Sequence, residues 1–155
     1  DEFRPGRRAL GELGATSPLV EARLTKADVR ALSRARGLTT ASRPSDTCLA
    51  TRFPYGAELK PALPGRTGRA EEAVRRLAGI GGALRVRTFG DAARIEAAPD
   101  ELVRLRGAAG AVVAALRDLG FAAVEIDPRG YRSGAMDEAL SDDEKRAALS
   151  GDQAS

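Results

Sequence analysis

The sequence predicts an α+β domain, α/β-like in the order of its elements: a small mixed sheet with helices packed on it. Three observations predict it. Residues Ala83–Phe89 and Ala92–Ala97 alternate apolar and charged side chains around Gly90-Asp91, the pattern of a hairpin. Helical apolar spacing flanks this hairpin on both sides. A further short alternation, Ala122–Asp127, supplies a third strand. At 155 residues the chain has the length of about one domain, enough to bury a core.

The elements follow in order. Asp1–Ala22 reads as irregular, punctuated by Pro5, Gly6, Gly11, Gly14 and Pro18. A helix follows Thr25, whose hydroxyl can accept an orphan amide near the helix start. Ala31, Leu32 and Ala35 form its apolar face, and Gly37 stands where a left-handed C-cap is expected. Thr39–Pro64 has no clear period, and Pro44, Pro54, Pro61 and Pro64 argue against a long helix there. A second helix is predicted over roughly Thr67–Ala78, with Ala70, Val74 and Leu77 on one face. In the hairpin, Leu84, Val86 and Ile95 point inward, and Arg85, Arg87, Arg94 and Glu96 outward. Pro99 opens a third helix, ended by Gly120, which Gly107 and Gly110 can divide in two. After the third strand comes the loop DPRGYRSGAMDEAL, then a short helix capped at Ser141-Asp142-Asp143-Glu144 and a fraying tail, Gly151–Ser155.

Composition removes several classes of function. Aromatics are 4% with no Trp, so the core is Ala, Leu and Val. The longest apolar-rich stretch, Gly107–Leu116, is far short of the ~18 residues of a membrane helix. No secretory leader is recognisable in the charged start DEFRPGRRAL. Without His and with a single Cys, a zinc finger, a His-based triad and an internal disulfide are excluded. The net charge of +3 suits anionic small molecules no better than it suits plain solubility. Opening at Asp1 inside a charged segment points to a piece of a longer protein as readily as to a processed chain.

Four clusters can carry chemistry. Cys48, four residues before Arg52, is either a nucleophile or sulfur donor whose thiolate a guanidinium favours, or a small buried hydrophobe. Arg85 and Arg87 stand on one strand face about 7 Å apart. Two forks at that spacing fit phosphate or carboxylate oxygens. They equally fit a solvated face paired to Glu96 or Asp91. Glu71-Glu72, read at the start of a helix, complements the macrodipole. In Asp127–Gly134, glycines and a strand end can cradle an anion with Arg129 or Arg132, although an ordinary turn uses the same residues. No Walker A loop occurs.

These clusters, in this order, resemble the C-terminal half of the LarE-type ATP-dependent sacrificial sulfur transferases, of the PP-loop superfamily. The stretches that carry the resemblance are Arg4-Pro5-Gly6, LTKADVRALSRARGL, CLATRFPYG, AEEAVRRL, LRVRTFGDAARIE and LRDLGFAAVEIDPRGYRSGAMDEAL. CLATRFPYG and the pairing of RVR with ARIE are the specific parts. The resemblance implies nickel-pincer nucleotide cofactor biosynthesis, for lactate racemase maturation. ATP adenylylates a carboxylate of pyridinium-3,5-biscarboxylic acid mononucleotide, and a cysteine thiolate attacks it. C–S cleavage then leaves dehydroalanine on the protein and a thiocarboxylate on the substrate. Adenylylation makes AMP the leaving group, so the thiolate meets an activated carbonyl.

Carried over by position, the resemblance makes Cys48 the sulfur donor. Arg85 and Arg87 become substrate-phosphate residues, with Arg52 and Arg132 beside them as substrate-binding residues. Glu71 becomes a helix glutamate near a divalent metal. An acidic residue of the family's pattern, expected near Arg104–Leu105, has no counterpart. A single cysteine cannot hold the iron–sulfur cluster of some members. The PP-loop fingerprint Ser-Gly-Gly-x-Asp-Ser is absent, so ATP and Mg are expected on a missing N-terminal half or a separate PP-loop chain. The implied organisation is 1–40 as the end of the PP-loop ATPase domain, 41–140 as the sulfur-donor and substrate-binding domain, and 141–155 as a short helix and tail. A homo-oligomer in the cytoplasm is implied, with no membrane or nucleic-acid partner. The alternative is an inactive fragment that folds or oligomerises without catalysis.

Overall fold

The computed structural model describes residues 10–43, 47–132, 134–136, 138, 140–143 and 145. It forms a mixed α+β fold in two compact units, one of residues 1–43 with 136–155 and one of residues 44–135.

In the first unit, α1 (Pro18–Glu21) and a helical turn at Leu10–Glu12 occupy a segment that reads as irregular in sequence. Proline at the first helical position gives up an amide that would have no partner there. Helix α2 (Lys26–Ala35) starts on a complete capping box. The Asp28 amide donates to Thr25 Oγ1 at 3.2 Å, and the Thr25 amide donates to Asp28 Oδ2 at 2.9 Å. The Thr25 hydroxyl and amide hold the Asp28 carboxyl below its usual range. None of the residues of α2 is fully buried. The motif Arg4-Pro5-Gly6 and the tail Gly151–Ser155 lie outside the described residues, as does much of the helix predicted at Ser141. There the Lys145 amide donates to the Ser141 carbonyl at 3.0 Å, a helical bond.

The second unit carries the sheet. Helix α3 runs Ala62–Ala78, and Gly79 closes it in the left-handed conformation. It starts a full turn earlier than its apolar spacing predicts. Pro64 falls in the first turn, where a missing amide costs no hydrogen bond. Strands β1 (Leu84–Phe89) and β2 (Ala92–Ala97) pair antiparallel, with Arg85 opposite Glu96 and Arg87 opposite Arg94. A 3₁₀ turn at Pro99–Glu101 leads into α4 (Leu102–Gly107), and α5 (Ala109–Asp118) follows a break at Ala108. Strand β3 (Ala123–Ile126) then returns parallel to β2, giving the order β1-β2-β3. A parallel return needs a long crossover, and α4 and α5 supply it.

One face of this sheet is the core. Ala70 and Val74 of α3, Leu105, Val112 and Leu116 of the crossover, and Leu84, Val86 and Ile95 of the hairpin pack there with Phe121. Alternation sends Arg85, Arg87, Arg94 and Glu96 to the other face. That face is not a solvated one: Arg85, Arg87 and Glu96 are all buried.

The chain beyond β3 stays tied to β2. The Asp127 amide donates to the Ile95 carbonyl at 2.9 Å, and the Tyr131 amide to the Ala97 carbonyl at 2.7 Å. Between them Gly130 has φ +71°, and a Cβ there would lie 2.7 Å from the Ala97 oxygen. Gly130→Ala is therefore expected to cost about 2–4 kcal/mol, from the left-handed backbone and the contact together. A urea midpoint equal to the parent's would show that this segment yields freely.

Candidate functional site

The site begins with a tight turn. Cys48 caps a 3₁₀ turn, Leu49–Arg52, that packs beside α3 and the edge strand β1. The Thr51 amide and hydroxyl both donate to the Cys48 carbonyl, at 3.0 and 2.8 Å. Cys48 itself is exposed and carries a free thiol. Of the two readings open to it in sequence, the buried small hydrophobe is the one the structure removes.

Arg52 holds this turn from within. It is 0% exposed. Its Nε and Nη2 donate to the two oxygens of Glu71, at 2.7 and 3.1 Å. Its Nη1 is shared among Thr47 Oγ1 at 2.7 Å, Thr51 Oγ1 at 3.0 Å, the Thr47 carbonyl at 3.2 Å and the Cys48 carbonyl at 3.4 Å. Such a fork suits arginine, whose donors lie in one plane. A side chain so enclosed shapes the cysteine turn rather than facing a substrate.

Glu71 is the other half of the device. Helix α3 starts at Ala62, so Glu71 lies deep inside the helix and cannot act on its N-terminal dipole as its sequence position suggests. One of its oxygens also accepts the Val86 amide at 3.0 Å. That amide belongs to an edge strand, where it has no ladder partner. The carboxylate is thus committed to a guanidinium and a backbone donor. Among the described residues no group of three His, Cys, Asp or Glu side chains is placed to hold a metal ion. Among the described residues none joins Glu71 in a set that would hold a divalent metal.

Arg87 grips the same turn from the sheet. Its Nη1 donates to the Thr51 carbonyl at 2.8 Å, and its Nε to Glu96 Oε2 at 3.0 Å. Burial pushes the Glu96 carboxyl above its ordinary value, and Arg87 pulls against that shift. Arg85 lies farther along the strand, its guanidinium 5.2 Å from the centre of the Tyr131 ring. Arg132 is half-buried and stands 3.8 Å from Asp127 Oδ2. Burial raises the Asp127 carboxyl, but the Arg129 amide and side chain, with Arg132 more remotely, outweigh it and hold the group below its usual range. Arg94 pairs with Glu125 on the neighbouring strand.

The structure therefore joins Cys48, Arg52, Glu71 and Arg87 in one connected network. It places Arg85 beside Tyr131, and Arg132 near Asp127. Sequence reasoning overlooks Thr47, Thr51 and Tyr131, and sees Glu96 only as a candidate partner for surface charge. The Thr-Cys-x-x-Thr-Arg spacing is a usable signal. Hydroxyls one residue before and three after a turn-capping residue can reach one another and the turn's own carbonyl.

No family model matches the chain. The chain is 36% identical over 140 residues to the pyridinium-3,5-bisthiocarboxylic acid mononucleotide synthase of Lactiplantibacillus plantarum, covering 90% of this chain and 50% of that protein. Over that stretch the chain is similar to a LarE-type protein. Uncharacterized proteins of Synechocystis and Methanocaldococcus jannaschii are similar too. They are 37% and 33% identical, over 90% and 85% of this chain. The LarE-type match and both others share one proportion: the chain spans about half the length of the curated relatives it matches. No helix among the described residues is long and apolar enough to cross a membrane.

Proposed function

We propose that this chain is the sulfur-donating half of an ATP-dependent sacrificial sulfur transferase acting in nickel-pincer cofactor biosynthesis. The observation that carries the reading is an exposed thiol on a turn fixed by two buried guanidinium groups, in a chain similar to a named bisthiocarboxylate mononucleotide synthase. The substrate is pyridinium-3,5-biscarboxylic acid mononucleotide, activated as an acyl-adenylate by an ATP- and Mg-binding half. The Cys48 thiolate attacks the activated carbonyl and AMP departs. Breaking the Cβ–S bond leaves the sulfur on the substrate and dehydroalanine at position 48.

The arginine-rich face supports this reading. Arg85 and Arg87 share the outer face of β1, and Arg132 follows β3 close to Asp127, so cationic groups are at hand for an anionic nucleotide. Arg132 is the most open of the three, and Arg85 lies behind Tyr131. The reading also carries self-association and a cytoplasmic location, with neither membrane nor nucleic acid as partner.

Intact-mass measurement tests it. The chain is incubated with ATP, Mg, the biscarboxylate mononucleotide and a PP-loop half supplied from a LarE-type relative. The expected product is lighter by one hydrogen sulfide at Cys48. An unchanged mass favours the other reading, a fragment that folds or oligomerises without catalysis.

A further inference from the structure

The hydrogen bonds on the Cys48 carbonyl exceed what its turn requires. A 3₁₀ turn supplies one donor, the amide three residues on, and here that is Thr51 at 3.0 Å. Two more donors converge on the same oxygen: the Thr51 hydroxyl at 2.8 Å and Arg52 Nη1 at 3.4 Å. With its one proton directed at this carbonyl, the Thr51 hydroxyl accepts from Thr47 Oγ1, 2.9 Å away. Thr47 Oγ1 in turn accepts from Arg52 Nη1 at 2.7 Å. A relay of two hydroxyls therefore leads from a fully buried guanidinium to the carbonyl of the cysteine, and Glu71 fixes its charged end.

Dehydroalanine formation gives that oxygen a task. Once the sulfur is acylated, the Cα proton of Cys48 must leave. The electron pair it releases is shared with the adjacent carbonyl, whose oxygen gains charge as an enolate. The pair then forms the Cα–Cβ double bond, the Cβ–S bond breaks, and its electrons leave with the sulfur as thiocarboxylate. The proton passes to solvent base, which reaches this exposed residue. Donors already aimed at an oxygen where charge develops lower the barrier without reorganising.

We propose that Thr51 and Arg52 form an oxyanion cradle on the Cys48 carbonyl that promotes β-elimination of its sulfur. Thr51 and Arg52 touch the reacting oxygen; Thr47 and Glu71 are positioning residues. The proposal rests on the reading of Cys48 as sulfur donor, yet its test needs neither ATP nor nucleotide.

The full chain has one cysteine, so a dinitrophenyl halide at neutral pH marks Cys48 as an S-aryl leaving group. In mildly alkaline buffer, intact mass follows loss of the arenethiol to dehydroalanine. The folded chain is expected to eliminate faster than the same labelled chain in urea. Thr51→Val is expected to slow elimination on the order of 100-fold. Thr51→Ser, which keeps the hydroxyl, should restore it to within a few-fold, and Thr47→Val should give an intermediate loss. Circular dichroism establishes that each variant is folded. The cradle is overturned by a folded chain no faster than the unfolded one, or by a folded Thr51→Val variant at the parent rate. Fast elimination here, with no mass loss during turnover, would instead remove the sulfur-donor reading and leave the cradle standing.

Discussion

Arg52→Met is expected to destabilise the second unit by about 3–5 kcal/mol, the cost of leaving one member of a buried ion pair alone. Arg52 is 0% exposed, and both its Nε and Nη2 face Glu71. Methionine fills much of the stem's volume, so the loss is chiefly electrostatic. Glu71 keeps the Val86 amide, but the guanidinium that neutralises it is gone. Glu71→Gln strands the opposite charge and is expected to cost a similar amount. The Arg52→Met, Glu71→Gln double variant should be more stable than the sum of the singles predicts, since neither charge is then left unpaired. Urea midpoints of the four proteins measure this coupling. Additive effects, or single losses under about 1 kcal/mol, would show a solvated pair of the surface kind. The variants should also open the cysteine turn, because Arg52 supplies its bonds to Thr47, Thr51 and the Cys48 carbonyl. A faster reaction of Cys48 with a thiol reagent reads that change directly.

The part of this molecule that sequence makes legible is the part with a short period. The hairpin, its inward Val86 and Ile95 and the common face of Arg85 and Arg87 follow from alternation alone. The capping box of α2 follows from Thr25 and Asp28. What alternation cannot supply is whether a second layer covers the outer face. Leu49–Arg52 has no period, yet it lies against β1 and takes Arg87 on its Thr51 carbonyl, while Tyr131, beyond β3, lies against Arg85. The Arg52–Glu71 bond spans nineteen residues and joins an irregular segment to a helix interior. No local rule pairs them. Pro64 hides the start of α3, and with it the depth of Glu71 in the helix. Long-range pairing and helix registration are both invisible to a local rule, and both decide what Glu71 does.

Stability and cysteine chemistry meet in these two ion pairs. Each guanidinium satisfies a buried carboxylate and also holds a backbone carbonyl of the same turn, Arg52 at Cys48 and Arg87 at Thr51. The sheet's charged face is thereby tied by hydrogen bonds to the turn that bears the thiol. A hold of this kind fixes the turn while leaving the thiol exposed. It does not by itself separate folding from chemistry, and for that a variant must repair one and not the other.

Arg87→Met with Glu96→Gln is such a variant. Arg87→Met alone is expected to cost about 3–5 kcal/mol at neutral pH, because it leaves the Glu96 carboxylate buried and unpaired. That cost depends on pH with a definite sign. In the parent, burial already raises the Glu96 carboxyl above its ordinary value near 4.5, with Arg87 opposing. Removing Arg87 leaves the upward push unopposed. A carboxyl raised on folding favours the folded state fully below its unfolded value, and that contribution is lost as pH climbs through the folded value. The Arg87→Met deficit should therefore be small below the ordinary carboxylate range and grow toward neutrality. Glu96→Gln, which carries no charge to bury, should flatten that dependence and recover much of the stability. It cannot restore the bond from Arg87 Nη1 to the Thr51 carbonyl. The double variant is thus expected to fold nearly as well as the parent at neutral pH and still transfer sulfur poorly. Urea midpoints across the acid-to-neutral range, beside the mass-loss assay, read the two quantities separately. A deficit independent of pH would show that Glu96 is not the stranded charge. Full sulfur transfer in the double variant would show that the turn needs no hold from β1.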